Sequence, residues 1–257
     1  MTAPRFLLSN DDGINARGLA ALVAAVSDLG ETWVVAPEHE QSATSHALSL
    51  HHPLRIRKLD ERRFAVDGTP ADCVYVAVNH LMKDERPTLV LSGINHGPNL
   101  ADDVIYSGTV AAAMEGSLLG VPSMAFSLVT RRTFEFEHAT QFVRALVKAA
   151  LANPLPPRML LNVNIPAYPP LKGYQVTRLG RHSYGADVVE KEDPRGRKYY
   201  WIGGTDYAHV KEPGTDVTAV HDEQYVSVSP IMLDLTDRAL LEPLRGWAID
   251  GFTQKKT

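Results

Sequence analysis

The stretch RFLLSNDDGINARGL, residues Arg5–Leu19, runs from three consecutive apolar residues into two adjacent carboxylates. The apolar run predicts a buried strand that ends in SNDDG, and the apolar spacing after it predicts a helix. Neighbouring negative charges repel each other, and burying an unpaired carboxylate is costly. A positively charged partner is therefore expected beside Asp11 and Asp12.

Strand and helix patterns alternate along the first half of the chain. Buried strands are predicted in RFLLSN, TWVVAP, TLVLSGI and PSMAFSL. Helices are predicted in ARGLAALVAAVSDLG, SGTVAAAMEGSLLG and EFEHATQFVRALVKAAL. This alternation is typical of an α/β fold, in which a mostly parallel sheet carries helices on both faces.

The pattern of predicted elements changes near residue 165, from alternating strands and helices to mostly strands. Before that point, LRIRKL and RFAVDG predict a β-hairpin insertion at about residues 50–68. After it, YQVTRLG, KYYWIGG and YVSVSPI have strand patterns, and TDRALLEPLRGWAI predicts a last helix that contains Pro243. We therefore predict an α/β core over residues 1–165 and a β-rich extension with a C-terminal helix over residues 166–257.

Composition narrows the class of protein. The 257 residues carry a formal net charge of -4, which gives no support to a nucleic-acid duplex as a partner. Cys73 is the single cysteine, so a disulfide within the chain and a cysteine-based zinc site are both excluded. The N-terminal apolar run is too short for a signal peptide, and no stretch is long enough for a membrane span. We expect a cytoplasmic protein that does not associate with a membrane.

Four polar clusters follow predicted strands or precede a predicted helix. They are SNDDG, residues 36–46 (APEHEQSATSH), residues 92–99 (SGINHGPN) and residues 102–109 (DDVIYSGT). Ligands of open parallel sheets bind at the carboxyl ends of the strands. The four clusters are therefore expected to meet at one edge of the sheet and to form a site there.

Two interpretations of the aspartate pair remain open from its residues alone. Gly13 permits a turn that lets Asp11 and Asp12 reach one ion, and such an oxygen-rich site suits Mg²⁺, Mn²⁺ or Ca²⁺. Alternatively, one of the two aspartates caps the following helix. The other clusters are weaker signals: Asn95 and Asn99 lie in a turn-like segment, and Ser107 or Thr109 taken alone favours a helix cap over an anion contact.

Other catalytic patterns are missing from the sequence. It contains no Walker-type phosphate loop, no dinucleotide-binding glycine pattern after the first strand and no Gly-x-Ser-x-Gly elbow. His46 and His96 lie in two of the clusters as possible general acids or phosphate contacts, but neither is expected to be essential. Cys73 lies in a predicted helix and is expected to be a buried structural thiol.

Several motifs in the same order resemble the SurE family of survival-protein nucleotidases. They are LLSNDDG, VVAP with a nearby serine, GTPADCV, LSGINHGPNLADDVIYSGTVAAAMEG, DPRGRKYYWIGG and PGTDVTAV. The resemblance implies a SurE-like fold with a Rossmann-like core, in which the hairpin and the C-terminal segments contribute to homodimers or homotetramers. It also implies a metal-dependent phosphomonoesterase that hydrolyses nucleoside 5′- and 3′-monophosphates.

The resemblance also assigns roles to residues. One Mg²⁺ or Mn²⁺ per subunit is expected on Asp11, Asp12, Ser42 and Asn95. Phosphate contacts are expected from Asn10, Asn99, Ser107, Gly108 and Thr109. Asp11 and Asp12 are also the catalytic candidates, since one of them is expected to accept a proton from the attacking water.

The residues around the predicted serine ligand depart from the family pattern. The family usually has Arg-Ser-Gly around the serine, whereas this chain has Gln41, Ser42 and Ala43.

One alternative to an enzyme remains open. It is a non-catalytic regulatory module that binds nucleotides with the same predicted helix start, at Ser107 to Thr109.

Overall fold

A computed structural model describes residues 3–130, 135–153, 155–168, 170–184, 188–202 and 207–254. The strands are β1 (Arg5–Ser9), β2 (Glu31–Pro37), β3 (Ile56–Asp60), β4 (Arg63–Val66), β5 (Leu89–His96), β6 (Ser123–Val129), β7 (Leu160–Pro166), β8 (Tyr174–Val176), β9 (His182–Tyr184), β10 (Val188–Glu192), β11 (Lys198–Ile202), β12 (Tyr207–His209) and β13 (Val226–Ile231). The α-helices are α1 (Arg17–Val26), α2 (Pro70–Val76), α3 (Gly108–Leu118), α4 (Glu137–Ala152), α5 (Asp216–His221) and α6 (Arg238–Arg245).

The main sheet has nine strands in the order β3-β4-β2-β1-β5-β6-β7-β13-β8. The run from β4 to β7 is parallel throughout. Strand β3 pairs antiparallel with β4 and forms the predicted hairpin, while β13 pairs antiparallel with β7. The predicted α/β class with a mostly parallel sheet is confirmed.

Helices cover both faces of the sheet, and β1 shows why its sequence is continuously apolar. Phe6 and Leu8 pack on one face with α1 and α4, whereas Leu7 packs on the other face with α2 and α3. Successive side chains of a strand point to opposite faces, so a strand covered on both sides needs no polar position. Cys73 is fully buried on the α2 side.

The strands that follow β1 in sequence lie on both sides of it in the sheet. The chain runs through β2 and β4 on one side, then returns to build β5, β6 and β7 on the other side. The reversal of strand order lies between β1 and β5, and α/β sheets bind ligands at such a crevice. The topology therefore directs attention to the carboxyl ends of these two strands.

The second part of the chain contributes to the same sheet. Strands β8 and β13 extend it beyond β7, whereas β9–β12 form two small antiparallel sheets outside it. The division at residue 165 stays a prediction. Strand β7 (LLNVNIP) has no counterpart among the predicted strands, because its two asparagines interrupt the apolar run.

The C-terminal segment is exposed to solvent in the monomer. Helix α6 has no buried residue, and Leu240, Leu241, Leu244 and Trp247 are all exposed. No helix within the described residues has the length and apolar character to cross a membrane.

Candidate active site

The four polar clusters lie around one cavity of about 400 Å³ at the carboxyl ends of β1, β2 and β5. The residues that line it are Asp11, Asp12, Glu40, Ser42, Ala43, Asn95, His96, Asn99, Asp103, Tyr106 and Ser107. Each cluster contributes at least one side chain, and Asp11, Asp12, Ser42, Asn95, Asn99 and Ser107 were among the predicted site residues. Asn10, Gly108 and Thr109 lie outside this lining.

The aspartate pair reaches the cavity through a turn directly after β1. Gly13 has a φ of +99°, a conformation that side chains with a Cβ rarely adopt. Ala16 occupies the N-cap position of helix α1 and makes no side-chain capping bond, while the Gly18 N–H of the first turn donates to the His96 side chain. Neither aspartate is therefore the helix cap that the sequence left open, and both carboxylates line the cavity instead.

Asp11 is buried at the base of the cavity and is held from two directions. The Thr109 hydroxyl donates a short hydrogen bond to its Oδ1, and the Gln41 N–H donates to its backbone oxygen over 2.7 Å. Burial raises the pKa of Asp11 to about 6, although the Thr109 hydroxyl acts in the opposite direction. The site thus holds a carboxylate whose charge is poorly compensated by the protein.

Asp12 is oriented by His96. The His96 backbone N–H donates to Asp12 Oδ2 over 3.3 Å, and His96 Nδ1 lies 3.5 Å from Asp12 Oδ1. The Gly18 N–H donates to His96 Nε2 over 3.2 Å, so the neutral ring carries its proton on Nδ1, facing Asp12. Burial lowers the pKa of His96 and keeps the ring neutral.

Burial also raises the pKa of Asp12 to about 6. The His96 backbone N–H lowers this pKa, whereas the nearby Glu40 charge raises it further. Two neighbouring carboxyls thus share the same upward shift for the same main reason, which is removal from water.

Asn95 stands where the β5 ladder becomes irregular. The register with β6 shifts between Ser92 and Asn95, and Gly93 lies in the segment with a φ of +126°. A Cβ at Gly93 would lie 2.4 Å from Phe126 O, so only glycine fits there. Asn95 Nδ2 donates to Gly97 O over 3.0 Å, which leaves Oδ1 as the atom available to a cation.

Asn99 is fixed by side chains that the sequence interpretation did not select. Its N–H donates to Asn164 Oδ1 over 2.9 Å, and its carbonyl accepts from Asn164 Nδ2 and Asn162 Nδ2 over 2.9 and 2.8 Å. Its own Nδ2 donates to Ser127 Oγ over 2.7 Å. The signal was present in LLNVNIP, where two asparagines at positions i and i+2 share one face of a buried strand.

The start of α3 closes the cavity on the side of Asp11. Ser107 is the N-cap of this helix, and its Oγ accepts the Val110 N–H over 3.1 Å. It therefore fulfils the capping role and also lines the cavity. A Cβ at Gly108 would lie 2.7 Å from Asp11 Cβ, so glycine lets the helix N-terminus approach the carboxylate.

The side chains of two predicted site residues form hydrogen bonds within their own loops. Asn10 is fully buried, and its Nδ2 donates to Gly13 O over 3.0 Å. The Ser42 hydroxyl donates to Glu40 Oε1 over 2.7 Å. His46 does not line the cavity, because its Nε2 lies 2.7 Å from Glu115 Oε2.

The cavity is strongly acidic. Asp11, Asp12, Glu40 and Asp103 line it, and no lysine or arginine is among the lining residues. No group of three or more His, Cys, Asp and Glu side chains within the described part of the chain could hold a metal ion. Two carboxylates supplemented by an amide oxygen, a hydroxyl and waters would form a hard oxygen site, which fits Mg²⁺ or Mn²⁺.

Comparisons with known proteins agree with this arrangement. The 5′-nucleotidase SurE of Myxococcus xanthus (strain DK1622) is 65% identical over 250 residues, covering 97% of this chain and 95% of the relative. The 5′-nucleotidase SurE of Anaeromyxobacter dehalogenans (strain 2CP-C) is 52% identical, with 98% of each chain covered. The crystal structure of the SurE protein from Aquifex aeolicus superposes with a TM-score of 0.84 at 42% identity, covering 94% of this chain and 98% of that chain.

The match also extends to a model of the whole family. The family described as Survival protein SurE matches residues 6–186, a span that includes every residue lining the cavity. The chain therefore belongs to the SurE family.

Proposed function

We propose that this protein is a divalent-metal-dependent phosphomonoesterase that hydrolyses nucleoside 5′- and 3′-monophosphates. The observation that carries the proposal is an acidic cavity in which two adjacent carboxylates, Asp11 buried and Asp12 partly buried, lie beside the N-terminus of α3. Relatives that share up to 65% of its residues are named 5′-nucleotidase SurE. The same names make the non-catalytic alternative the less favoured one.

The donor set supports a bound Mg²⁺ or Mn²⁺. Four carboxylates without a cation would repel a phosphate dianion, and burial has already raised the pKa of Asp11 and Asp12. Asp11, Asp12, Asn95 and Ser42 would hold one ion per subunit, which when bound offsets the charge of the ester and makes a bound water more acidic.

The protein supplies the phosphate contacts from α3 and its flank. The first N–H groups of a helix have no partner within the helix and attract anions. Ser107, the N-cap of α3, lines the cavity directly before Gly108, and Asn99 retains one amide N–H beyond the one given to Ser127. In the proposed reaction these donors would stabilise the negative charge that builds up on the phosphoryl oxygens.

The two aspartates are also the candidates for accepting the proton of the attacking water. Water attacks the phosphorus, and one of the two carboxylates takes the proton that the water loses. The departing nucleoside oxygen takes up a proton as its bond to phosphorus breaks. In the metal-free protein burial raises the pKa of both carboxyls to about 6, and the proposed base is the carboxylate that would bind the ion less directly.

Assembly into a homodimer or homotetramer is part of the proposal. It is supported by the exposed apolar side chains of α6 and by Tyr200, Trp201 and Ile202 on the β10–β11 hairpin. Large contiguous apolar patches on a single chain usually mark contact surfaces. A cytoplasmic location stays a prediction from the sequence.

A panel of substrates tests the proposed function. AMP, GMP, CMP, UMP and 3′-AMP are incubated with the purified protein at fixed Mn²⁺, and released inorganic phosphate is measured. We expect release from several members of the panel. Binding of AMP by calorimetry without any release of phosphate would support the regulatory module instead.

A further inference from the structure

The segment that carries Ser42 differs from the rest of the cavity wall. This Ser42 loop, residues 38–49, has no helix or strand of its own beyond the end of β2. Ser42 is exposed, and its hydroxyl bonds to Glu40 of the same loop. The position of the serine is therefore set by whatever ties the loop to the body of the protein.

Two residues of the loop have a left-handed backbone conformation, which is unfavourable for residues with a Cβ. Ala43 and Ser45 have φ values of +57° and +55°. The left-handed region costs a residue with a Cβ about 1–2 kcal/mol. Such conformations persist only when surrounding contacts over-determine them.

One group of contacts joins the loop to the turn before α3. The Ser45 N–H donates to Tyr106 O over 3.2 Å, and the Ser45 hydroxyl donates to Ile105 O over 2.8 Å. The turn that receives these bonds carries Tyr106 and Ser107 to the cavity. The loop and the phosphate side of the cavity are therefore joined directly.

The next residue links the loop to α3 itself through its side chain. His46 Nε2 lies 2.7 Å from Glu115 Oε2. Glu115 is 4% exposed on the buried face of α3, and His46 is its single side-chain partner within the described residues. A buried carboxylate without a partner is costly, so the pair locks the loop to α3, the helix whose N-cap Ser107 lines the cavity.

We propose that the His46–Glu115 pair is a positioning device that holds the Ser42 loop against α3 and so places Ser42 beside Asp11 and Asp12. His46 acts through the loop and does not contact the substrate. The part that concerns the metal rests on the proposed function. The part that concerns the loop does not, because it is a property of the metal-free protein.

The chain offers a matched control and a conservative rescue. His209 Nε2 lies 3.2 Å from Asp222 Oδ2, and its side chain is 30% exposed against 27% for His46. His209→Ala therefore removes a similar histidine–carboxylate pair from another part of the chain. His46→Gln keeps a side-chain N–H that can donate to Glu115.

The first measurement is amide hydrogen exchange of residues 41–48 in the metal-free protein. We expect His46→Ala to speed exchange there by about tenfold, the effect of losing one hydrogen bond to a charged group. His46→Gln and His209→Ala should leave exchange in this segment near the wild-type rate. Wild-type exchange in His46→Ala would overturn the proposal, as would equal acceleration in His209→Ala.

The second measurement is the Mn²⁺ dissociation constant from calorimetry, together with kcat and KM for AMP. His46→Ala should weaken Mn²⁺ binding by about tenfold, and saturating Mn²⁺ should restore most of kcat. His46→Gln should bind Mn²⁺ like the wild type. If His46→Ala does not fold, a His46→Gln enzyme with weakened Mn²⁺ binding and accelerated loop exchange overturns the proposal.

The two measurements also separate this proposal from the proposed function. A wild-type protein that releases no phosphate from any nucleotide contradicts the function, whereas the exchange experiment still decides whether the pair holds the loop. Unchanged Mn²⁺ affinity in a His46→Ala protein with accelerated loop exchange would overturn the link to the metal.

Discussion

The two walls of the cavity are built in different ways. On the strand side, Asn99 is buried and held by Asn162, Asn164 and Ser127. On the loop side, Ser42 is exposed and bonds to a residue of its own loop. The proposed phosphate contact Asn99 thus belongs to the buried core, whereas the position of Ser42 depends on the contacts of its loop. Changes on the strand side should therefore cost stability and binding together, and changes on the loop side should leave global stability largely intact.

Asp11 belongs to both walls, so its replacement should have the largest effect. Its carboxylate bonds to Thr109 of α3, and its backbone oxygen accepts from Gln41 of the Ser42 loop. We expect Asp11→Asn to lower kcat/KM for AMP by at least about 10²-fold, since it would remove a proposed metal ligand and a candidate base. The steady-state rate of phosphate release measures this.

The matched control for that variant is Asp28→Asn. Asp28 lies at the surface beside Arg144 and is not among the residues that line the cavity. Its replacement should leave kcat/KM unchanged. An Asp11→Asn enzyme with wild-type activity would remove Asp11 from the mechanism.

The strand wall is tested by Asn164→Ala. Asn164 is fully buried and pairs with both the N–H and the carbonyl of Asn99. Leaving such groups unpaired should cost about 1–3 kcal/mol in the free energy of unfolding, and KM for AMP should rise. Urea denaturation and substrate saturation curves measure the two effects.

Asn153→Ala serves as the comparison for that change. Asn153 also donates to a backbone carbonyl, that of Ala149, but it is exposed at the end of α4. Its loss should change the free energy of unfolding by less than about 0.5 kcal/mol. Equal stability losses in the two variants would contradict the distinction between a buried network and an exposed bond.

The pKa shifts of the aspartates predict how the metal acts at different pH. Both pKa values are raised from 3.8 to about 6, so the stability that the protonated carboxyls contribute is complete below about pH 4 and is lost as pH rises through about 6. Metal binds the deprotonated carboxylates. The rise in Tm produced by Mn²⁺ should therefore be small at about pH 5 and large at about pH 7.5.

Thermal melts at several pH values, with and without Mn²⁺, measure this dependence. An Mn²⁺-induced shift in Tm of equal size from about pH 5 to about pH 8 would contradict it.

The smallest expected effect concerns the loop wall. Ala43 has a φ of +57°, at the position where the family usually has glycine. Ala43→Gly should relieve this conformation and raise the free energy of unfolding by up to about 1 kcal/mol. Ala20→Gly, at an exposed position inside α1, should lower it by about 0.5–1 kcal/mol. Effects of the same sign in both variants would contradict the interpretation.

Local patterns in the sequence were sufficient for much of the core. Continuous apolar runs predict strands covered on both faces, and Phe6, Leu7 and Leu8 pack in that way. The carboxyl ends of parallel strands share one edge, which is why the four polar clusters meet at one cavity. The two interpretations of the aspartate pair required coordinates, because only these show that Ala16, and neither aspartate, caps α1.

The features missed from the sequence depend on contacts between distant segments. Strand β7 was missed because its asparagines resemble loop residues, although they are buried partners of Asn99, more than sixty positions earlier in the chain. The return of β13 to pair with β7 is a long-range pairing with no local signal. The His46–Glu115 pair likewise joins residues 69 positions apart.

The central claim is that Asp11 and Asp12 hold a divalent ion on which phosphomonoester hydrolysis depends. The most direct test measures phosphate release from AMP by the wild-type protein in excess EDTA, and again after excess Mn²⁺ is added to the same sample. We predict that activity disappears in EDTA and returns with Mn²⁺, with no such return in Asp11→Asn. Undiminished hydrolysis in excess EDTA would contradict the account.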